Sequence, residues 1–152
     1  MRYSWNRLSS LDSFSTLVMA DQPLTRAQDW LTQAQRDLAQ ARESQAVGRH
    51  EWACFAAQQA AEKAVAAACV AQGSNPCAHH SVARLLREVA GKAPAALLDK
   101  ACVLDNFYVA TRYPSAHPEG PPFEHFGRIQ SDEAIGFAEE ILGLAHDWVG
   151  AR

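Results

Sequence analysis

HEWACFAAQQAAEKAVAAACVAQG, residues 50–73, is the stretch that decides the fold. Alanine is the strongest helix former, and neither Pro nor Gly interrupts the run before Gly73. The spacing predicts a helix from about His50 to Gln72, closed by Gly73 and by Pro76 just beyond. Small side chains surround most of its circumference, with Trp52 and Phe55 as bulky exceptions near the start. A helix of that kind lets its neighbours approach closely, so this one is expected at the centre of the molecule.

Working outward, the residues before it repeat apolar groups at Ala27, Leu31, Ala34, Leu38 and Ala41, a helical period that ends near Gly48. Thr25-Arg26-Ala27-Gln28 has the form of a capping box and is expected to open that helix. Residues 1–22 are Ser-rich without a sustained period. They are expected to be a loose N-terminal arm, with Met19 as an alternative start, ahead of one helical domain over 23–152. After the central helix, Val82, Leu85, Leu86 and Val89 predict a short helix stopped by Gly91. Pro94 suits the first turn of a fourth helix with its apolar face at Leu97, Ala101, Leu104 and Tyr108. That helix is expected to end near Arg112, because Pro114 removes a donor and pushes Tyr113 out of the α region. A Pro/Gly-rich loop follows over 113–130. The last helix is expected to open with Ser131 as its cap and Asp132 and Glu133 in its first turn, then repeat Ile135, Ala138, Ile141 or Leu142, Ala145 and Trp148. No β-alternation competes and no long repeat is present. The fold class read from this pattern is all-α, an up-and-down bundle of about five helices.

A chain of 152 residues, 48% of them hydrophobic, has room for one core. Its 14 Lys+Arg against 17 Asp+Glu give a net charge of −3, which argues against non-specific coating of nucleic acid. A small cleft with one or two cations aimed at a phosphate is still compatible with that balance. Cys54, Cys69, Cys77 and Cys102 are irregularly spaced and read as buried thiols of a reduced compartment. With no long uninterrupted apolar run and no convincing signal peptide, a cytoplasmic location without membrane contact is expected.

The stretch Leu104–His117 (LDNFYVATRYPSAH) carries the most chemistry. It sets Arg112 at a helix end and His117 in the proline-bounded loop that follows. An Arg fork can clamp a phosphate, and an imidazole can move a proton at the same phosphorus. Together they suffice for metal-free RNA cleavage by the substrate's own 2′-hydroxyl. The bland alternative has Arg112 pairing with a carboxylate or capping its own helix, with His117 merely solvated. Gln59, Glu62 and Lys63 share one face of the central helix through spacings of three and four. They form either a polar wall of a cleft or a network tying helices together. Asp105 either orients Arg112 or is a surface charge. Cys77, His79 and His80 lack a fourth ligand at zinc-site spacing, with His125 far along the chain, so neither metal nor cofactor is expected. Trp30, Trp52, Phe107 and Trp148 fall at core positions and read as packing rather than base-stacking platforms.

In order, Asp29-Trp30 with Asp37-Leu38, then Phe55-Ala56-Ala57-Gln58-Gln59-Ala60-Ala61-Glu62-Lys63-Ala64, then His80-Ser81-Val82 with Leu85-Leu86, then Tyr108–Pro114 and a last amphipathic helix make the chain resemble a HEPN domain over about residues 25–149. That family is associated with nucleotide binding and RNA cleavage. Its ribonuclease members carry an Arg, four to six residues, then a His, and Arg112 to His117 fits with four between. The resemblance implies that Arg112 and His117 are catalytic, that Gln59, Glu62, Lys63, Asp105, Tyr108 and Tyr113 support them or bind nucleotide, and that a homodimer brings two motifs to one cleft. It further implies a toxin acting on RNA and neutralised by a nucleotidyltransferase antitoxin, or else a non-catalytic nucleotide- or partner-binding module. Where antitoxin-modified members have a Tyr two residues after the His, this chain has Glu119.

Overall fold

The structure is a computed structural model that describes residues 11–76, 80–89 and 93–151, with side chains from residue 25 onward. In chain order it has α1 (Leu11–Ala46), α2 (His50–Ala71), α3 (Val82–Glu88), α4 (Ala95–Asp105), α5 (Phe107–Ala110) and α6 (Arg128–Gly150). Two single 3₁₀ turns, Pro114–Ala116 and Pro122–Glu124, shape the loop between α5 and α6. Asn106 between α4 and α5 keeps helical angles, φ −66° and ψ −18°. The two therefore make up the expected fourth helix, and among the described residues the bundle has five helices and no strand.

Gly48, at φ +79°, turns the chain so that α2 packs back along α1. Ala53, Ala57, Ala60, Ala61, Ala64 and Ala67 of α2 are fully buried, as the density of alanine around that helix requires. Against them lie Ala27, Leu31, Ala34, Leu38 and Ala41 of α1 and Ala134, Ala138, Ile141 and Ala145 of α6. α1, α2 and α6 thus pack mutually, while α3 and α4 close the remaining flank of α2 through Val82, Leu85, Leu86, Leu97 and Leu104. Among the described residues every buried side-chain nitrogen and oxygen has a hydrogen-bond partner. No helix among them is long and apolar enough to cross a membrane.

Several expectations are corrected. Helix α1 does not open at Thr25 but runs through Pro23 from Leu11. Of the expected arm, residues 1–10 lie outside the described residues. Helix α6 opens at Arg128, not at Ser131: Gln130 Oε1 accepts the Gly127 N–H at 2.9 Å, and Ser131 is drawn inward. Its hydroxyl meets Gln45 Nε2 and His50 Nδ1, each at 2.9 Å, joining all three long helices. Trp30 and Trp148 are half-buried against the core and Phe107 is buried, but Trp52 is 47% exposed. Cys54 and Cys69 are buried, whereas Cys102 is exposed and Cys77 lies outside the described residues. Burial, reinforced by Glu51 and Glu133, pushes the Cys54 thiol up to about 12. Burial, with Glu88 adding, raises Cys69 to about 11.

Candidate functional site

Helix α5 has one turn, Phe107–Ala110, and Arg112 stands in the turn just after it, ahead of Pro114. Tyr113 takes the extended angles that a residue before proline prefers, φ −123° and ψ 126°. The Arg112 side chain folds back so that Nε donates to Tyr108 O at 2.8 Å, with Nη2 donating to the same oxygen. It therefore caps its own helix, one of the two roles open from sequence. Its Cζ lies 4.4 Å from the ring centre of Phe55, 4.6 Å from that of Tyr108 and 5.1 Å from that of Tyr113. A planar, weakly hydrated guanidinium is suited to such a cage. Of its five N–H donors, those on Tyr108 O leave the others available to an anion.

His117 leaves the 3₁₀ turn in extended conformation, φ −122° and ψ 149°. Its Nε2 lies 2.6 Å from Ala110 O. A carbonyl can only accept, so Nε2 carries the hydrogen and Nδ1 of the neutral ring keeps its lone pair. Among the described residues Nδ1 has no hydrogen-bond partner, and no hydrogen bond joins His117 to Arg112. The ring stacks on His125 with centroids 4.0 Å apart and planes 3° apart, and Phe126 meets it edge-on. His125 in turn donates from Nε2 to Glu119 O at 2.7 Å. Gly120, at φ +77°, lets that loop pass: a Cβ there would come within 2.8 Å of Glu124 Oε2. In the sequence His125 stands out only as a remote zinc candidate. Nothing in its spacing to His117 signals the stack, which is a contact made by loop geometry.

Gln59, Glu62 and Lys63 do come together, Gln59 Nε2 donating to Glu62 Oε2 at 3.4 Å, and Gln58, which the spacing does not single out, joins them. Gln58, fully buried, donates from Nε2 to Glu62 Oε2 at 3.0 Å and to His80 O at 3.2 Å, while its Oε1 accepts from Gln59 at 2.8 Å. Lys63 pairs with Asp37 of α1 at 2.6 Å and donates to Gln59 Oε1 at 3.2 Å. Glu62 Oε1 faces His80 Nδ1 at 3.3 Å. These are bonds that tie α2 to α1 and to the entry of α3. None of the three touches Arg112, but His80 stacks on Tyr108 at 4.8 Å, and Tyr108 lies against the guanidinium. Asp105 neither orients Arg112 nor sits idle on the surface. It accepts Val82 N at 2.6 Å, Ser81 Oγ at 2.7 Å and Ala83 N at 3.2 Å, closing the first turn of α3. Of the rejected zinc set, Cys77 and His79 lie outside the described residues.

Beside this cluster a groove of about 450 Å³ opens between α1 and α2. Trp52, Phe55, Gln59 and Lys63 form one wall, Asp37 and Gln40 the other, with Arg49 at the end. Phe55 lines the groove and also faces the Arg112 guanidinium, so it belongs to both.

The model of the HEPN domain matches residues 27–148. The crystal structure of TT1696 from Thermus thermophilus is similar at 42% identity, covering 81% of this chain and 98% of that one with a TM-score of 0.78. That of ST0689, described as an archaeal HEPN homologue, is similar at 37% identity over 81% and 97% of the two chains, TM-score 0.70. A HEPN domain protein of Thermotoga maritima, tm0613, shares 31% identity over 83% and 95%, TM-score 0.52. No curated protein matches the sequence. On this match over most of its length, the chain belongs to the HEPN domain family.

Proposed function

We propose that the protein is a metal-independent endoribonuclease, working as a homodimer and of the kind held in check by a nucleotidyltransferase antitoxin. The observation that carries this reading is the state of His117. A backbone carbonyl holds Nε2–H and a parallel imidazole holds the ring plane, so Nδ1 is left as a base at a defined place five residues from an Arg with donors to spare. In the reaction Nδ1 takes the proton of a ribose 2′-hydroxyl. The 2′-oxygen attacks the adjacent phosphorus, the P–O5′ bond breaks with the leaving oxygen taking a proton from water, and a 2′,3′-cyclic phosphate and a 5′-hydroxyl result. Arg112 binds the phosphate oxygens and offsets the charge that builds on them. Pairing of two chains would set two such motifs in one cleft.

Purified protein is expected to cleave total RNA in EDTA. His117→Ala and Arg112→Ala, of unchanged helicity and elution volume, should each lose about 10²-fold or more in rate. Light scattering should give twice the chain mass. A second reading, a non-catalytic nucleotide- or partner-binding module, is favoured by the cage around Arg112, which holds the guanidinium as a fixed planar surface. An intact RNA profile with wild-type protein would select it.

A further inference from the structure

The α1/α2 groove is used by none of the steps above, and its lining differs from one end to the other. At the inner end the polar groups satisfy one another: Asp37 accepts from Lys63 at 2.6 Å and from Gln33 at 2.8 Å, and Lys63 also donates to Gln59. At the outer end they do not. Among the described residues the Arg49 guanidinium has neither a hydrogen bond nor an ion pair, and the indole of Trp52, 47% exposed, has its N–H unengaged. Trp52 meets Phe55 edge to face, centroids 6.1 Å apart and planes at 77°, which makes an aromatic corner. Arg49 is exposed and Trp52 is half-exposed beside it, so a flat ring and an anion can reach both without breaking any bond of the fold. The groove walls carry two cations against one carboxylate, and Arg112 adds a third positive group against the Phe55 ring.

We infer that this groove is the base-binding subsite of the ribonuclease: it takes one unstacked nucleobase of a single-stranded RNA on the Trp52 face, with a flanking phosphate on Arg49. The inference rests on the ribonuclease reading for its direction along the strand, since Phe55 links the groove to the Arg112 that holds the scissile phosphate. Stacking on an aromatic face is tolerant of base identity, and the saturated inner wall offers few free donors or acceptors to read base edges. The subsite therefore selects single-stranded over duplex RNA and is only weakly selective among bases. The volume of about 450 Å³ falls within the range of pockets that take small organic groups.

The test is binding of a short single-stranded RNA that is 2′-O-methylated throughout, so that nothing can be cut, to the full chain in EDTA. Each nucleotide in turn is replaced by an abasic one. Wild type should lose roughly tenfold in affinity at one abasic position. Trp52→Ala should bind the intact RNA roughly tenfold more weakly and no longer distinguish the abasic one, while Trp52→Phe restores part of both. Arg49→Gln should weaken binding and flatten its salt dependence. Circular dichroism and gel filtration accompany each variant. Wild-type affinity in Trp52→Ala, discrimination that survives in it, or no RNA binding by wild type overturns the subsite. So does a change of oligomer in Trp52→Ala, which would make the groove an interface between copies. Because this probe cannot be cleaved, loss of the subsite with RNA cleavage intact is told apart from failure of the ribonuclease reading itself.

Discussion

Cys54 illustrates how a residue with no part in the chemistry can still shape the protein's behaviour. Its thiol sits against α2's neighbours with no exposure, and burial together with Glu51 and Glu133 raises it from an ordinary 9.0 to about 12. The unfolded chain releases this proton near pH 9 and the folded chain does not, so the folded state holds the extra proton between those values. Stability is unaffected by Cys54 below pH 9 and falls as the pH rises from 9 toward 12, by at most about 1.4 kcal/mol per unit. Other groups titrate there too, so the variant comparison is the measurement. Urea midpoints taken between about pH 8 and about pH 10.5 should fall less steeply for Cys54→Ala than for wild type, and parallel curves would rule the mechanism out. At this scale the sequence was legible in kind and not in partner. Residue type and spacing single out Arg112 and His117 as candidates, while Phe55, His125 and the two carbonyls that hold them come from other parts of the chain or from turns whose geometry no spacing reveals.

Element by element, the apolar period marks each helix where it packs on the core, because burial of one face is what forces a 3.6-residue repeat, but it leaves α1 from Leu11 to Leu24 unmarked. The ends were less legible, since a helix end is set by whichever group satisfies its open N–H donors. Ser131 looked like a cap and is an interhelical tie, and Gln130 closes the turn in its place. Helix α3 is the sharper case. Its seven residues are too few to be stable alone. Its first turn is closed by Ser81 Oγ, which accepts Arg84 N at 3.1 Å, and by Asp105 from the end of α4. A residue more than twenty positions away leaves no local signature. Asp105→Ala is expected to cost about 1–3 kcal/mol, since a half-buried carboxylate accepting two backbone N–H groups is lost at once. Asp105→Asn, which keeps an acceptor oxygen, should fall between. Hydrogen exchange at Val82 and Ala83 should quicken in Asp105→Ala beyond what the global loss explains. Unchanged exchange there would mean that water replaces the carboxylate without penalty.

For the whole molecule, the decisive quantity is how closely three long helices can approach. Two packed clusters, one spanning α1 to α6 through α3 and α4 and one at the other end of α1, α2 and α6, both draw on α2. This much was legible in residues 50–73, because a helix with small groups all round has no outer face and must be surrounded. What was not legible is the groove between α1 and α2. It depends on where two helices part, and Trp52, at a position that fits the core period, ends up 47% exposed. The same close approach predicts how the bundle breaks. Ala60 is fully buried on α2, within the packed cluster that α2 shares with α3, α4 and α6. Ala60→Leu should force the helices apart and cost about 1–3 kcal/mol despite the greater hydrophobicity of leucine. Ala46→Leu, at the exposed end of α1, should change stability by no more than about 0.5 kcal/mol. If both variants unfold at the wild-type urea concentration, alanine at position 60 is filling a surface and not setting a distance. If Ala60→Leu alone falls, in one cooperative step, the spacing of α2 from its neighbours is what the alanine run encodes.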